Sequence, residues 1–264
     1  MRAEDRVAEM LARCGSAAAV MPPTQLYNEG WMLRLALDWY ARQPMSEAPL
    51  AFSLGARWYS EALLPSVFFA TKRGDSRAEG WTNADGVVGH FQLRPGGRGD
   101  IELISGASQL VIVEAKLGSG LSAGVKNAPA YNQAARNVAC LCHLVERSGR
   151  EVTTDWRLGF YVLAPQSRID EGIFGSLLSL EGPAGIKAVV AERVKTFAPA
   201  LDQWHEKHFL RILTRVRIHE ISWESILENI RHVDPEAASE LALFYQQCLQ
   251  HNRLTTGVGA DATS

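Results

Sequence analysis

Residues 99–116 read GDIELISGASQLVIVEAK, two strand-like runs at 99–104 and 109–116 around the small-residue turn SGAS. The core of the second run, Leu110, Val111, Ile112 and Val113, is apolar on both faces, which marks a central strand covered above and below. A turn at Gly106–Ser108 that pairs Ser105 with Gln109 sets Asp100 opposite Glu114. Side chains alternate along a strand and cross-strand partners share a face, so Lys116 joins the two carboxylates while Ala115 points away. A one-step slip of the pairing centre sets Glu102 opposite Glu114 instead.

Upstream, DGVVGHFQL at 85–93 has the same strand character, and RPGGRG separates it from 99–104, so two successive hairpins are expected. Farther toward the N-terminus the period changes. An Ala-rich amphipathic helix is expected in 1–20, a second at 28–40 and a third at 52–69, interrupted near Pro65. In the second, Trp31, Leu35 and Trp39 repeat every four residues, and Met32, Leu33 and Leu37 widen the apolar face. Downstream, the Gly-rich GSGLSAG leads through Pro129 to a helix from Tyr131 to about Glu146, then a strand at 156–163. The last third reads as helices at 184–197, 199–213, 223–232 and 235–250, with one strand at 216–222. The expected organisation is one domain over 1–253, with a core at about 25–165, a helical elaboration at about 184–250, and a disordered small and polar tail at 254–264.

Of 264 residues, 47% are apolar, enough for one sizeable core. Lys plus Arg number 27 against 29 Asp plus Glu, and the net charge of -2 supplies no overall basic footprint, so any nucleic-acid contact must come from a local patch. Cys14, Cys140, Cys142 and Cys248 are too few and scattered for a disulfide framework, and a Cys-X-Cys within a helix spaces its sulfurs wrongly for zinc. No apolar run reaches the roughly 20 residues needed to span a bilayer, and MRAEDRVAEM lacks signal-peptide features, so a cytoplasmic protein without a membrane partner is expected.

A carboxylate and an ammonium at the end of a covered strand are costly to bury unless paired or bound to metal. Two close carboxylates form a hard oxygen site suited to Mg²⁺, with Mn²⁺ as an alternative. The adjacent lysine can orient an attacking water and offset phosphate charge, which together meet the needs of metal-assisted phosphodiester hydrolysis.

This Asp…Glu-X-Lys arrangement resembles the signature of the PD-(D/E)XK, or restriction-endonuclease-like, nuclease superfamily. The resemblance covers residues 85 to about 145 closely and the whole chain order loosely. It implies an α/β fold, a restriction-endonuclease-like core with a central mixed sheet flanked by helices and a helical C-terminal elaboration. The implied order is helix, three antiparallel strands, helix, strand. It implies metal ligation by Asp100, Glu114 and a first-helix acid, matched by Glu29, and catalysis by Asp100, Glu114 and Lys116 with a helix Gln, matched by Gln133 in YNQAARNVAC. Gly99 stands where the nominal Pro would be, and Asp85 in NADGVVG also looks like a motif Asp, although the two-hairpin register puts it far from Glu114.

On the helix, Gln133, Arg136 and Asn137 share one face, so Gln133 is expected to point at the carboxylates. Arg98, Lys126 and Arg136 are the candidate phosphate contacts, within a rim that also holds Lys72, Arg73, Arg77 and Arg94. The expected partner is nucleic acid, DNA in the first instance, and a homodimer would bring two sites to one duplex. The alternatives are a catalytically silent binding or scaffold protein of the same fold, and a hydrolase of another phosphate ester.

Overall fold

The computed structural model describes residues 3–43, 48, 50–70, 72–125 and 127–253, so Lys126 and the 254–264 tail lie outside the described residues. Helix α1 spans Ala3–Ala12 and α2 Glu29–Arg42, where the Asn28 side chain accepts the Trp31 N–H at 3.0 Å. The face α2 buries is Met32, Leu33, Ala36, Leu37 and Tyr40, with Trp39 at its border. Trp31 and Leu35, expected on the buried face, are instead 37% and 36% exposed. The cause is the approach to strand β2 (Thr82–Gly89): a Cβ at Gly86 would lie 3.0 Å from Leu33 and 3.1 Å from Leu37, so the glycine seats that side of the helix.

Strand β1 is Arg57–Leu64, which corrects the helix expected over 52–69. Glu, Ala and Leu favour a helix, but here they complete a seven-pair antiparallel ladder with β2, and pairing overrides propensity. The expected strand 85–93 is really β2 and a separate β3, Phe91–Leu93, which pairs with β4, Ile101–Leu103, as a two-stranded ribbon. Strand β5, Gln109–Ala115, therefore pairs with β2 and not with 99–104.

Two features enforce that switch. A Cβ at Gly89 would lie 2.2 Å from the Gln109 carbonyl oxygen, so only glycine lets the strands close there. His90 then accepts the Ser108 and Gln109 N–H groups on Nδ1, at 3.2 and 3.1 Å, and its Nε2 bonds the Leu54 carbonyl at 3.0 Å. The turn before β5 is thus tied to the end of β2.

Helix α3, Gln133–Arg147, crosses to β6, Arg157–Ala164, and the chain continues through α4, Ile186–Phe197, to β7, Val216–Ser222. The segment 199–213, expected as one helix, is a succession of short 3-10, α and π turns. Helices α5, Trp223–Val233, and α6, Pro235–His251, close the fold. The molecule is a mixed α/β fold whose five-stranded sheet runs β1-β2-β5-β6-β7, antiparallel across β1, β2 and β5 and parallel across β5, β6 and β7. One core joins the sheet to α3 and α4, the other to α2, α5 and α6. Among the described residues, no helix is long and apolar enough to cross a membrane.

Candidate active site

Strand alternation places Glu114 with Leu110 and Ile112 on the α3 side, and Val111, Val113 and Ala115 on the α2 side. Glu114 is 1% exposed, at the end of β5 where α3 begins. Its Oε1 accepts Lys116 Nζ at 2.6 Å and the Gln133 side-chain amide, and its Oε2 accepts the Asn137 amide at 3.5 Å. Gln133 thus stands toward Glu114, as its helix face required. Asn137, on the same face, is fully buried beside it. Helix α3 is positioned by Asn132, whose side chain accepts the Ala135 N–H at 2.9 Å.

The second acid is Asp85. The β2–β5 ladder ends at Gly86↔Val113, so the next step along that register sets Asp85 beside Glu114. Asp85 Oδ2 accepts the Ala115 N–H at 2.8 Å and lies 4.0 Å from Lys116 Nζ. A local irregularity turns it there. Ala84 and Val87 both belong to the α3-side core, while Gly86 and Val88 face α2, so alternation skips a step at Asp85. On β1 the opposing Glu61 has φ 55, a conformation costly outside glycine, and neither residue is paired between Ser60↔Gly86 and Ala62↔Ala84. Glu61 is held by Arg34 at 3.3 Å and by Asn83 at 2.7 Å.

Asp100 is not at this site. Its carboxylate closes the 94–100 turn, accepting the Arg98 N–H at 3.1 Å and pairing with Arg94 at 3.3 Å. With β4 in the ribbon, nothing carries Asp100 across to β5. Glu102, the other alternative, accepts the Gln92 amide at 2.6 Å on the same ribbon. Glu29 begins α2, near Cys248, where burial first and the Glu29 charge second push the thiol up to about 12; it does not join Glu114. Arg98 is exposed on the 94–100 turn, and Arg136 lies half-buried one helical turn beyond Gln133.

Burial, and then the Asp85 charge, push the Glu114 carboxyl up to about 8, against the opposing pull of Lys116. A further cation beside Glu114 would favour its ionised form. Among the described residues, no group of three or more His, Cys, Asp or Glu side chains is assembled to hold a metal. The pair Asp85 and Glu114 is nonetheless an all-oxygen donor set, and Mg²⁺ is characteristically held by one or two carboxylates with water and substrate phosphate.

The chain matches no family model, no curated protein and no solved structure. Asp85 was visible in the sequence, but its partner strand was not. Ser122 gave no signal, since it acts through its backbone: its N–H donates to Gln133 Oε1 at 3.1 Å and its carbonyl accepts the Gln133 N–H at 2.9 Å.

Proposed function

We propose that this chain is a metal-dependent nuclease of the PD-(D/E)XK, restriction-endonuclease-like type, hydrolysing nucleic-acid phosphodiesters, with DNA as the first substrate to test. The observation that carries the reading is the convergence of Asp85, Glu114 and Lys116 where the β2–β5 ladder stops. The element order α2, β1, β2, β5, α3, β6 also supports it, being helix, three antiparallel strands, crossover helix and parallel strand, with the β3–β4 ribbon inserted between the second and third strands.

In this reading Asp85 and Glu114 hold Mg²⁺, or Mn²⁺ in its place. When bound, the cation supplies Lewis acidity toward the scissile phosphate. Lys116 orients the attacking water and offsets phosphate charge. Gln133 and Asn137 fix the Glu114 carboxylate, and Gln133 is fixed in turn by Ser122. Preorganisation of this kind keeps the reacting geometry from being lost to side-chain motion.

A second reading, a silent scaffold, draws on the fact that both Glu114 oxygens already have protein partners. One experiment separates the two. Purified protein is incubated with plasmid and with single-stranded DNA and RNA, in Mg²⁺, Mn²⁺ or chelator. Cutting that needs the metal and is lost in Asp85→Asn supports the nuclease; no cutting of any substrate by a folded wild type overturns it.

A further inference from the structure

Beside the candidate site lies a cleft of about 190 Å³ lined by Glu79, Trp81, Thr82, Asn127 and Arg136, among others. Its size is below the roughly 300–1,000 Å³ of pockets for drug-sized molecules, so it suits one small unit of a larger ligand. Glu79 accepts Arg193 at 3.1 Å and Ser66 at 3.3 Å, and the Arg136 charge acts on it less strongly than that of Arg193. Arg136 is different. No hydrogen bond or ion pair joins its side chain to another described residue, and its Nε is buried without a partner. A guanidinium cannot shed its proton, and its fork matches a phosphate, so a half-buried one in a cleft, with its Nε unpartnered, points to an anionic oxygen ligand.

Trp81 supplies the other half. The residue is 37% exposed, and its ring is braced edge-on by Phe69 at 5.0 Å. A braced, exposed indole offers a stacking platform to a base only if that base has left its own stack.

The location ties both to the catalytic candidates. Arg136 shares the α3 face of Gln133 and Asn137, which reach Glu114. Thr82 on β2, bonded by Cys140 of α3 at 3.5 Å, is three residues from Asp85, about 10 Å at strand spacing. A strand whose scissile phosphate lay at Asp85 and Glu114 would bring an adjoining nucleotide to the cleft.

We propose that the Trp81–Arg136 cleft binds a nucleotide flanking the cleaved bond, its base stacked on Trp81 and its phosphate paired with Arg136. The substrate at this site is therefore single-stranded or frayed nucleic acid and not a closed duplex. The proposal rests on the nuclease reading in taking a phosphodiester strand as the ligand.

The test is binding in chelator, where nothing is cut, using a short labelled single-stranded oligodeoxynucleotide, the same strand with abasic positions, and its blunt duplex. Wild type should bind the intact strand more tightly than the duplex. Arg136→Ala should weaken that binding about tenfold and reduce the salt slope by about 0.7, the release expected for one single-strand phosphate contact. Trp81→Ala should cost roughly 5- to 150-fold on the intact strand, the range for a lost base stack, and little on the abasic strand. Arg136→Lys and Trp81→Phe, which keep charge and ring, should recover much of each loss and control for folding. Duplex bound as tightly as single strand, or equal losses by Trp81→Ala on intact and abasic strands, overturns the proposal. If wild type cuts and Arg136→Ala binds unchanged, the cleft is wrong and the nuclease reading stands. The expected binding pattern without any metal-dependent cutting upholds Trp81 and Arg136 as a single-strand binding cleft but overturns its place beside a cleaved bond, together with the nuclease reading.

Discussion

Asp85 on β2 accepts the backbone N–H of Ala115 at 2.8 Å, and so locks its carboxylate against the residue that lies between Glu114 and Lys116. The bond satisfies an amide at the point where the β2–β5 ladder has stopped, which a strand end buried against α3 requires. It also sets the rotamer of the acid, so the charge is held in place before any ligand arrives. The irregular step at Glu61 and Asp85 is what turns the side chain toward it.

The two aspartates of the hairpin region should consequently behave differently. Asp85→Asn can still accept the Ala115 N–H but loses the charge, so the fold is expected to survive while metal-dependent cleavage falls by roughly 10²–10³-fold, the scale for one preorganised electrostatic group. Asp100→Asn should leave the cleavage rate within about twofold and lower stability by about 1–2 kcal/mol, through the weakened bonds to Arg94 and Arg98. Steady-state cleavage and thermal melts on both variants check this, and the reverse ranking would restore Asp100 to the site.

The pH dependence follows from Glu114. Its carboxyl, pushed from an ordinary 4.5 up to about 8, holds a proton in the metal-free protein at neutral pH. If Mg²⁺ binds at Glu114 as proposed, it must displace that proton, so its affinity should rise from pH 6 to about 8 and then level, with close to one proton released per ion bound at pH 7. A raised carboxyl pKa contributes stability that is complete below about 4.5 and is lost as pH rises through about 8. Glu114→Gln does not titrate there. Metal-free melts should show the Gln variant gaining on wild type across that window, by on the order of a few kcal/mol, with no further change above it. A gap independent of pH would mean that Glu114 is ionised in the metal-free fold.

The parts of this site that were legible in the sequence are those set by local spacing. The apolar run Leu110–Val113 marked a covered strand, alternation put Glu114 and Lys116 on one face, and helical spacing turned Gln133 and Asn137 together. Strand β7 was bounded correctly at 216–222 for the same reason. What was hidden was pairing between distant segments. RPGGRG and SGAS both look like hairpin turns, yet only the first closes a hairpin, and SGAS returns the chain to β2. Choosing between them depended on Gly89 and on the His90 imidazole, whose Nδ1 accepts the Ser108 and Gln109 N–H groups, and neither leaves a periodic trace. Strand β1 was masked likewise, because the ladder to β2 outweighs the helix preference of its Glu, Ala and Leu.

Gln133 links the site to the segment before α3, and the link runs through backbone atoms of Ser122. Ser122→Ala should therefore be silent, with activity within about twofold and no change in metal affinity, since surface changes away from specific features are small. Gln133→Ala removes the side-chain half of the tie to Ser122 and the bond to Glu114, while the Gln133 N–H bond to the Ser122 carbonyl remains. It should cost about 10- to 100-fold in cleavage, the range for a group that orients a metal ligand, and speed proteolysis within 117–130. Ser122→Pro, which removes the N–H but leaves Gln133 in place, should reproduce the proteolysis and only part of the rate loss. Equal rate losses in Ser122→Ala and Gln133→Ala would show that the hydroxyl acts, contrary to this account.

Lys116 has two roles that one variant can separate. Its ammonium sits 2.6 Å from Glu114 Oε1 and 4.0 Å from Asp85, so it opposes the effects that raise the Glu114 carboxyl, and in the proposed nuclease it also orients water. Lys116→Ala removes that cation, and the Glu114 carboxyl must rise further, because only burial and the Asp85 charge remain to set it. Mg²⁺ binding should then weaken at pH 7, through competition with the proton, and recover as the pH is raised toward 9. Cleavage should not recover with it, because a bound metal does not replace the oriented water. Metal titration and single-turnover cleavage of Lys116→Ala at pH 7 and pH 9 are the paired measurements. If activity returns together with metal affinity at high pH, the lysine serves only to tune Glu114 and some other group positions the nucleophile; if metal affinity stays low at both, Lys116 is holding the two carboxylates in place.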